Sequence, residues 1–152
     1  RPAYFFENHL TSLALIKHQG INGSAIAGDA SLPMIAARDI AIAAAHALLK
    51  RDWRGIKVQE LLGPRDLTMR ECTRLLGAAI GKPDLEYVQF SYEDAQKAMI
   101  GMGLSPSIAG LYGEMSRAFN EAKIKTARTL KSTTPTRFED YVRVLADAYT
   151  RV

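Results

Sequence analysis

Three times in this chain a hydroxyl residue stands three positions ahead of an acid at the head of an apolar stripe: Thr68-Met-Arg-Glu71, Ser91-Tyr-Glu-Asp94 and Thr136-Arg-Phe-Glu139. In that pattern the hydroxyl accepts from a backbone N–H of the first helical turn while the acid faces back toward the cap, so each marks a helix start. Ser105-Pro106 marks a fourth, because proline at the first helical position gives up an N–H that has no intrahelical partner anyway. The spacing that follows is helical: Cys72, Leu75, Leu76, Ala79 and Ile80 before Gly81; Ile108, Leu111, Tyr112, Met115 and Phe119; then Phe138, Val142, Leu145 and Tyr149. Gly81 suits a left-handed helix stop. Two further helices are expected, one over Phe6–His18 closed by Gly20 and an Ala-rich one over Arg38–Lys50.

Between the helices lie short β-type runs, Leu32–Ala37, Lys57–Leu62 and Leu85–Phe90, each bounded by Gly, Pro or Asp. Strands alternating with helices define an α/β class with mainly parallel pairing. Few strands are expected, and the second half is almost wholly helical. This predicts a sheet-bearing part over residues 1–90 and a helical sub-domain over 91–152. Asn22-Gly-Ser24 matches a glycosylation sequon, but reads as a turn with Asn and Gly at positive φ. Gly101-Met-Gly-Leu-Ser-Pro106 begins like a dinucleotide fingerprint, yet it follows a helical pattern and ends in proline, so it is read as a helix break.

Composition narrows the function classes. With 152 residues, 47% of them hydrophobic and 24% charged, the chain has the balance of a globular domain. A chain of this size can bury one core without metal or disulfide staples. The longest apolar run, Ile40–Leu49, contains His46 and is about half the length of a membrane-spanning helix, roughly 20 residues. Arg1–Asn8 carries no secretory pattern, and the single Cys72 has no partner for an internal disulfide, so a cytoplasmic home is expected. The net charge of +4 is scattered, and its nearest cluster, Lys50, Arg51, Arg54 and Lys57, reads as a solvated helix end rather than a nucleic-acid patch. His9, His18 and His46 have no metal-ligand spacing. Neither a nucleophile elbow nor a phosphate loop ending in Gly-Lys-Ser/Thr is present, which removes the main support for hydrolase and NTPase readings.

The opening Arg1-Pro-Ala-Tyr-Phe-Phe-Glu-Asn8 is a compact aromatic cluster. It has two readings: a hydrophobic staple with core aromatics, or a loop at the carboxyl end of a strand, where α/β sheets place ligands. Asp39 sits where a first-turn carboxylate offsets exposed helical N–H groups, a structural role.

The segment Arg1–Asn8 resembles the Arg/Leu-Pro-x-x-Phe-x-Glu-Asn segment of the NmrA-like family of atypical short-chain dehydrogenase/reductases. Leu32-Pro-Met-Ile-Ala-Ala-Arg-Asp-Ile-Ala41 resembles that family's strand leading into an Asp-Ile-Ala helix. Leu62-Gly-Pro-Arg-Asp-Leu-Thr68 with Glu71, then Ile80-Gly-Lys-Pro83, extend the likeness in order over almost the whole chain. The resemblance implies the carboxyl-terminal part of a Rossmann-type doubly wound NAD(P)-binding fold with a helical substrate-side sub-domain. It implies that Ala3, Tyr4, Phe5, Phe6, Glu7 and Asn8 border the cofactor, NADP or NAD, and that Tyr92, Met99, Met115 and Phe119 line the pocket of a small carbonyl or quinone-type substrate. Their other reading is plain helix-packing core. The glycine-rich fingerprint and the Lys or Tyr-x-x-x-Lys of the family have no counterpart in this sequence. The chain is therefore expected to be the substrate-side half of such an oxidoreductase, inactive alone and without a catalytic residue of its own. A non-catalytic NAD(P)-sensing regulator of a protein partner is the alternative. An open sheet edge would favour self-association or cover by the missing half.

Overall fold

The computed structural model describes residues 1–152. In chain order the elements are β1 (Tyr4–Phe5), a 3-10 helix (Phe6–Ser12), α1 (Leu13–Gln19), β2 (Ile21–Ser24), β3 (Leu32–Ile35), α2 (Ala37–Lys50), β4 (Asp66–Leu67), α3 (Met69–Ala79), β5 (Glu86–Gln89), α4 (Tyr92–Gly101), α5 (Pro106–Asn120) and α6 (Phe138–Tyr149). Three of the expected caps form: the side chains of Thr68, Ser91 and Ser105 accept from the N–H of Glu71, Asp94 and Ile108 at 3.1, 3.0 and 3.3 Å. Gly20 and Gly81 both stand at φ 73°, the left-handed stops expected of them. The helix expected over Phe6–His18 is split, its first part wound as 3-10 and only its second as α.

The fourth cap is replaced by a longer-range contact. Thr136 donates its hydroxyl to Asp39 Oδ1 at 2.7 Å and its N–H to Asp39 Oδ2 at 3.0 Å, and α6 starts after Arg137 with no side-chain cap. Asp39 is 4% exposed in the first turn of α2, so its carboxylate binds two donors from the segment before α6 as well as facing the α2 dipole. A buried carboxylate needs those donors more than Thr136 needs a local cap. Asp39→Ala is expected to lower stability by about 2–3 kcal/mol, because it removes two charge-assisted bonds and strands a half-buried hydroxyl and N–H. Urea unfolding of the variant checks this; a loss below about 0.5 kcal/mol would mark the contact as incidental.

Pairing is mainly parallel, but it forms two small sheets rather than one. β1 lies parallel to β3 with Tyr4 opposite Met34 and Phe5 opposite Ile35, and β4 joins the other side of β3 antiparallel. β2 lies parallel to β5 from Ile21 opposite Glu86 to Ser24 opposite Gln89. The strand expected over Lys57–Leu62 is reduced to isolated bridges, Pro2 to Leu61 and Leu62 to Thr133. Residues 57–59 are exposed, with Val58 at 56%, so nothing covers the face a strand would bury.

Asn22-Gly-Ser24, expected as a turn, is β2. Asn22 is buried and donates to Thr73 Oγ1 at 2.8 Å, and a Cβ on Gly23 would run into the Phe90 ring. Both residues therefore answer to distant partners, not to turn geometry. Gly63 is required for a similar reason: its N–H donates to the Met34 carbonyl at 2.8 Å, and a side chain there would overlap that same oxygen.

One core runs through the molecule. Phe6, Leu13, Ile16, Met34, Leu67, Leu76, Tyr87, Phe138 and Leu145 belong to a single buried cluster. This crosses the division expected at 90/91, since α6 packs on α1 and α3 and completes the core of the first 90 residues. What lies largely outside is the α4–α5 hairpin, whose helices pack chiefly on each other and reach the core through Phe119. The face of α5 is also the reverse of expectation. Ala109 and Ser116 are buried, whereas Ile108, Leu111, Tyr112 and Met115 are 38–57% exposed. Small residues allow the close approach of α4, which leaves the large side chains facing outward. α2 likewise leaves Ile42, Leu48 and Leu49 uncovered, at 46%, 68% and 78% exposure.

Candidate functional site

Parallel strands place ligands at their carboxyl ends, and β1 and β3 end together at Phe5 and Ile35, beside the start of α2. The Arg1–Asn8 segment divides there into two roles. Ala3 is held in place by its N–H, which donates to the Leu61 carbonyl at 3.0 Å. Phe6 is fully buried, edge-on to Phe138 at 5.1 Å and tilted against Tyr141 at 5.4 Å, so it is a core residue. Glu7 accepts from the Ala37 N–H with both carboxylate oxygens, at 3.1 and 3.0 Å, closing the N-terminus of α2 where Ala36 offers no cap. Phe5, 36% exposed, and Asn8 face solvent, as do Arg1 and Pro2.

Tyr4 joins the two halves of the expected site. Its ring is edge-on to His9 at 6.0 Å and to Phe119 at 6.1 Å. The segment expected on the cofactor side thus touches Phe119 at the C-terminal end of α5, one of the four residues expected on the substrate side. The other three lie along the hairpin. Tyr92 is half-buried, with the Arg117 guanidinium 4.6 Å from its ring and its hydroxyl accepting from Asn120 at 2.8 Å. Met99 is half-buried on α4 and Met115 is 38% exposed on α5. These side chains give the hairpin surface an aromatic and thioether character, with the Arg117 guanidinium beside it.

None of the shifted ionisable groups near this surface is poised for proton transfer near neutrality. Burial pushes the Tyr4 phenol well above its usual range, with Tyr87 and Cys72 adding to the effect. Burial pushes the Cys72 thiol up to about 12, so it stays protonated, its Sγ directed at Met34 Sδ. Tyr141 is pushed up to about 12 by burial and by Glu7 beside it. His9 is 3% exposed, its Nε2 has no hydrogen-bond partner, and burial pushes it down to about 4. An efficient acid or base works with a pKa near the operating pH, and these groups lie far from it on either side. His9 was legible as a buried position, since Phe6, His9, Leu13 and Ile16 follow helical spacing; Asn120 carried no such signal.

A dinucleotide needs more than this surface. Its pyrophosphate is normally held by backbone N–H groups at a helix N-terminus. Here the Glu7 carboxylate occupies the start of α2, side-chain caps close α3, α4 and α5, and α6 opens with Glu139 and Asp140. The residues present therefore offer no helix N-terminus free to hold its phosphates. A separate cavity of about 220 Å3 is lined by Phe6, Pro64, Arg65, Leu67, Arg137, Phe138 and Glu139. Its Arg65 is already satisfied by Glu71 at 2.8 Å and Glu139 at 2.7 Å.

No protein-family profile matches this sequence. The chain is 33% identical over 115 residues to an NAD(P)H azoreductase of Xenophilus azovorans, an alignment covering 76% of this chain and 39% of that protein. It is 28% identical over 152 residues to the (4-alkanoyl-5-oxo-2,5-dihydrofuran-3-yl)methyl phosphate reductase of Streptomyces griseus, covering 98% of this chain and 53% of that one. Among solved structures, the NADPH complex of an NADPH-dependent quinone oxidoreductase from Escherichia coli superposes with a TM-score of 0.76 at 23% identity, over 95% of this chain and 52% of that one. The NADP(H) complex of Citrobacter sp. triphenylmethane reductase gives 0.74 at 19% identity, over 96% and 51%. The fold is accordingly the α/β fold that makes up about half of each of these reductase chains, with few strands and several helices. The chain spans 39% to 53% of the length of the curated relatives it matches. No helix is long and apolar enough to cross a membrane.

Proposed function

We propose that this chain is the substrate-side half of an NmrA-like NAD(P)H-dependent oxidoreductase that acts on a small carbonyl or quinone-type acceptor. The supporting observation is the edge-on contact of Tyr4 with Phe119 at 6.1 Å, which joins the segment read as cofactor-side to the helix read as substrate-side at the carboxyl ends of β1 and β3. The bound nicotinamide would supply the hydride. Tyr4 and Phe5 would border its ring, while Ala3, Phe6 and Glu7 hold that loop from behind and Asn8 lies at its solvent edge. Tyr92, Met99, Met115 and Phe119 would wall the acceptor pocket and exclude water from it. Glu7 then contributes by fixing the loop to α2, and Phe6 by anchoring it in the core.

The dinucleotide-binding half is the proposed cover for Ile42, Leu48 and Leu49 on α2, and it would supply the phosphate grip and the proton-transfer group. The 152 residues alone are expected to show no saturable NADPH binding by calorimetry. Joined in one chain to a glycine-rich dinucleotide-binding half, they should oxidise NADPH in the presence of a quinone. Micromolar NADPH binding by the 152 residues alone would contradict the division of labour. Tight binding by the joined protein without turnover on a quinone and azo-dye panel would replace the reductase reading with that of a sensor.

A further inference from the structure

The α4–α5 hairpin carries all the proposed acceptor-side residues, yet it lies largely outside the core. Beside the packing of Phe119 on the core, one side chain at the last position of α5 bonds the hairpin to the body. Asn120 Oδ1 accepts from the Ala27 N–H at 2.7 Å, while its Nδ2 donates to the Ala25 carbonyl at 3.0 Å and to the Tyr92 hydroxyl at 2.8 Å. These partners belong to two parts of the chain, the loop leaving β2 and the first residue of α4, and Asn120 ties both to α5. The loop is gripped from the opposite side by the body. Tyr87 donates to the Ile26 carbonyl at 2.7 Å, and the Ile26 N–H donates to Ser24 Oγ at 3.1 Å. Ala25–Ala27 is therefore a joint, with Tyr87 and Ser24 holding its sheet side and Asn120 its hairpin side.

Phe119 is the neighbour of Asn120 and the residue whose ring meets Tyr4. Release of Asn120 from the loop would therefore free Phe119 to leave Tyr4. We propose that Asn120 is the positioning residue of the acceptor pocket: by bonding both backbone polar groups of the loop and the Tyr92 hydroxyl, it sets the hairpin so that Phe119 stands against Tyr4. Only an amide can do this, because the site asks for one acceptor and two donors from the same side chain. Aspartate would satisfy Ala27 and repel the Ala25 carbonyl; leucine has the shape and none of the bonds. The functional part of the proposal rests on the acceptor-site reading above.

Asn120→Leu in the 152-residue chain tests the joint itself. We expect the Ala27 amide to exchange roughly tenfold faster, the loss of about one hydrogen bond, and the Tyr4–Phe119 ring contact to vanish from NOE spectra while the Phe6–Phe138 contact persists. Tyr92→Phe, which removes one of the three bonds without opening a cavity, should weaken the same contact to a smaller degree and serves if Asn120→Leu does not fold. Unchanged Ala27 exchange with a preserved Tyr4–Phe119 contact in whichever variant folds would overturn the proposal. In the joined reductase, Asn120→Leu should raise KM for the quinone roughly tenfold and leave KM for NADPH unchanged. A lost ring contact with unaltered quinone KM would keep the joint and remove the acceptor-site reading, so the two can fail separately.

Discussion

Phe138→Ala is expected to destabilise the protein by about 3–5 kcal/mol, the range for removing a fully buried aromatic ring from a close-packed core. Phe138 is 1% exposed and sits edge-on to Phe6 at 5.1 Å and to His9 at 5.2 Å, so its loss leaves a void beneath the segment that carries Tyr4 and Phe5. Phe138→Leu, which fills most of that void, should recover a large part of the loss. Urea unfolding that shifts the midpoint without changing the slope would support this assignment. A loss under about 1 kcal/mol for the alanine variant would mean that the core collapses around the site and that Phe6 is not anchored through Phe138.

Acid should destabilise the protein through His9. Its imidazole is buried without a partner for Nε2, and burial holds it down to about 4 from an ordinary value of 6.5. The unfolded chain therefore takes up a proton near pH 6.5 that the folded chain refuses until about pH 4. Below pH 6.5 the unfolded state binds more protons, so this contribution is complete above that pH and falls away as the pH drops toward 4. The loss across the window is about 3 kcal/mol, since a proton bound by only one of the two states is worth about 1.4 kcal/mol for every pH step of one. His9→Phe removes the titrating group and should flatten the stability profile between these values, whatever it does to stability at neutral pH. If the wild type and His9→Phe lose stability in parallel on acidification, His9 is not the source. Because His9 touches both Tyr4 and Phe138, this substitution and Phe138→Ala are not expected to add.

Both effects converge on the short stretch that opens the chain, and both show how its two readings are reconciled. The aromatic cluster is at once staple and site. Phe6 and His9 point into the core, whereas Phe5 is partly open and Tyr4 reaches the hairpin. A strand of only two residues followed at once by a 3-10 turn permits this, because successive strand side chains leave on opposite faces. The resemblance to reductases pointed to this segment as a block. Only its packing separates the residues that anchor from those that face outward.

Local chemistry made much of the architecture legible. Thr68, Ser91, Ser105, Gly20 and Gly81 end or begin their helices as their side chains, or lack of one, require, since each satisfies or frees backbone groups within a few residues of itself. The alternation of apolar runs likewise led to an α/β class with mainly parallel pairs. The features missed were those in which a residue's nearest energetic partner is distant in sequence. Thr136 leaves its own helix for Asp39, 97 residues away; Asn22 abandons a turn for Thr73; α5 buries Ala109 and Ser116 and leaves its large side chains outward. Spacing records that a helix has two faces, and the larger apolar one is the natural choice for the interior. Which face is buried depends on how closely a neighbour must approach.

Taken alone, the sequence determined where helices start and stop, the class of fold, and the absence of a phosphate-gripping turn among these residues, because those properties depend on groups a few positions apart. Tertiary structure decided that α6 closes the first core, that the hairpin lies largely outside it, and that Tyr4 meets Phe119. Each of these depends on bonds and contacts between segments tens of residues apart, such as those of Asn120 with Ala25 and Ala27, and their free energy exists only once the chain has brought both ends together.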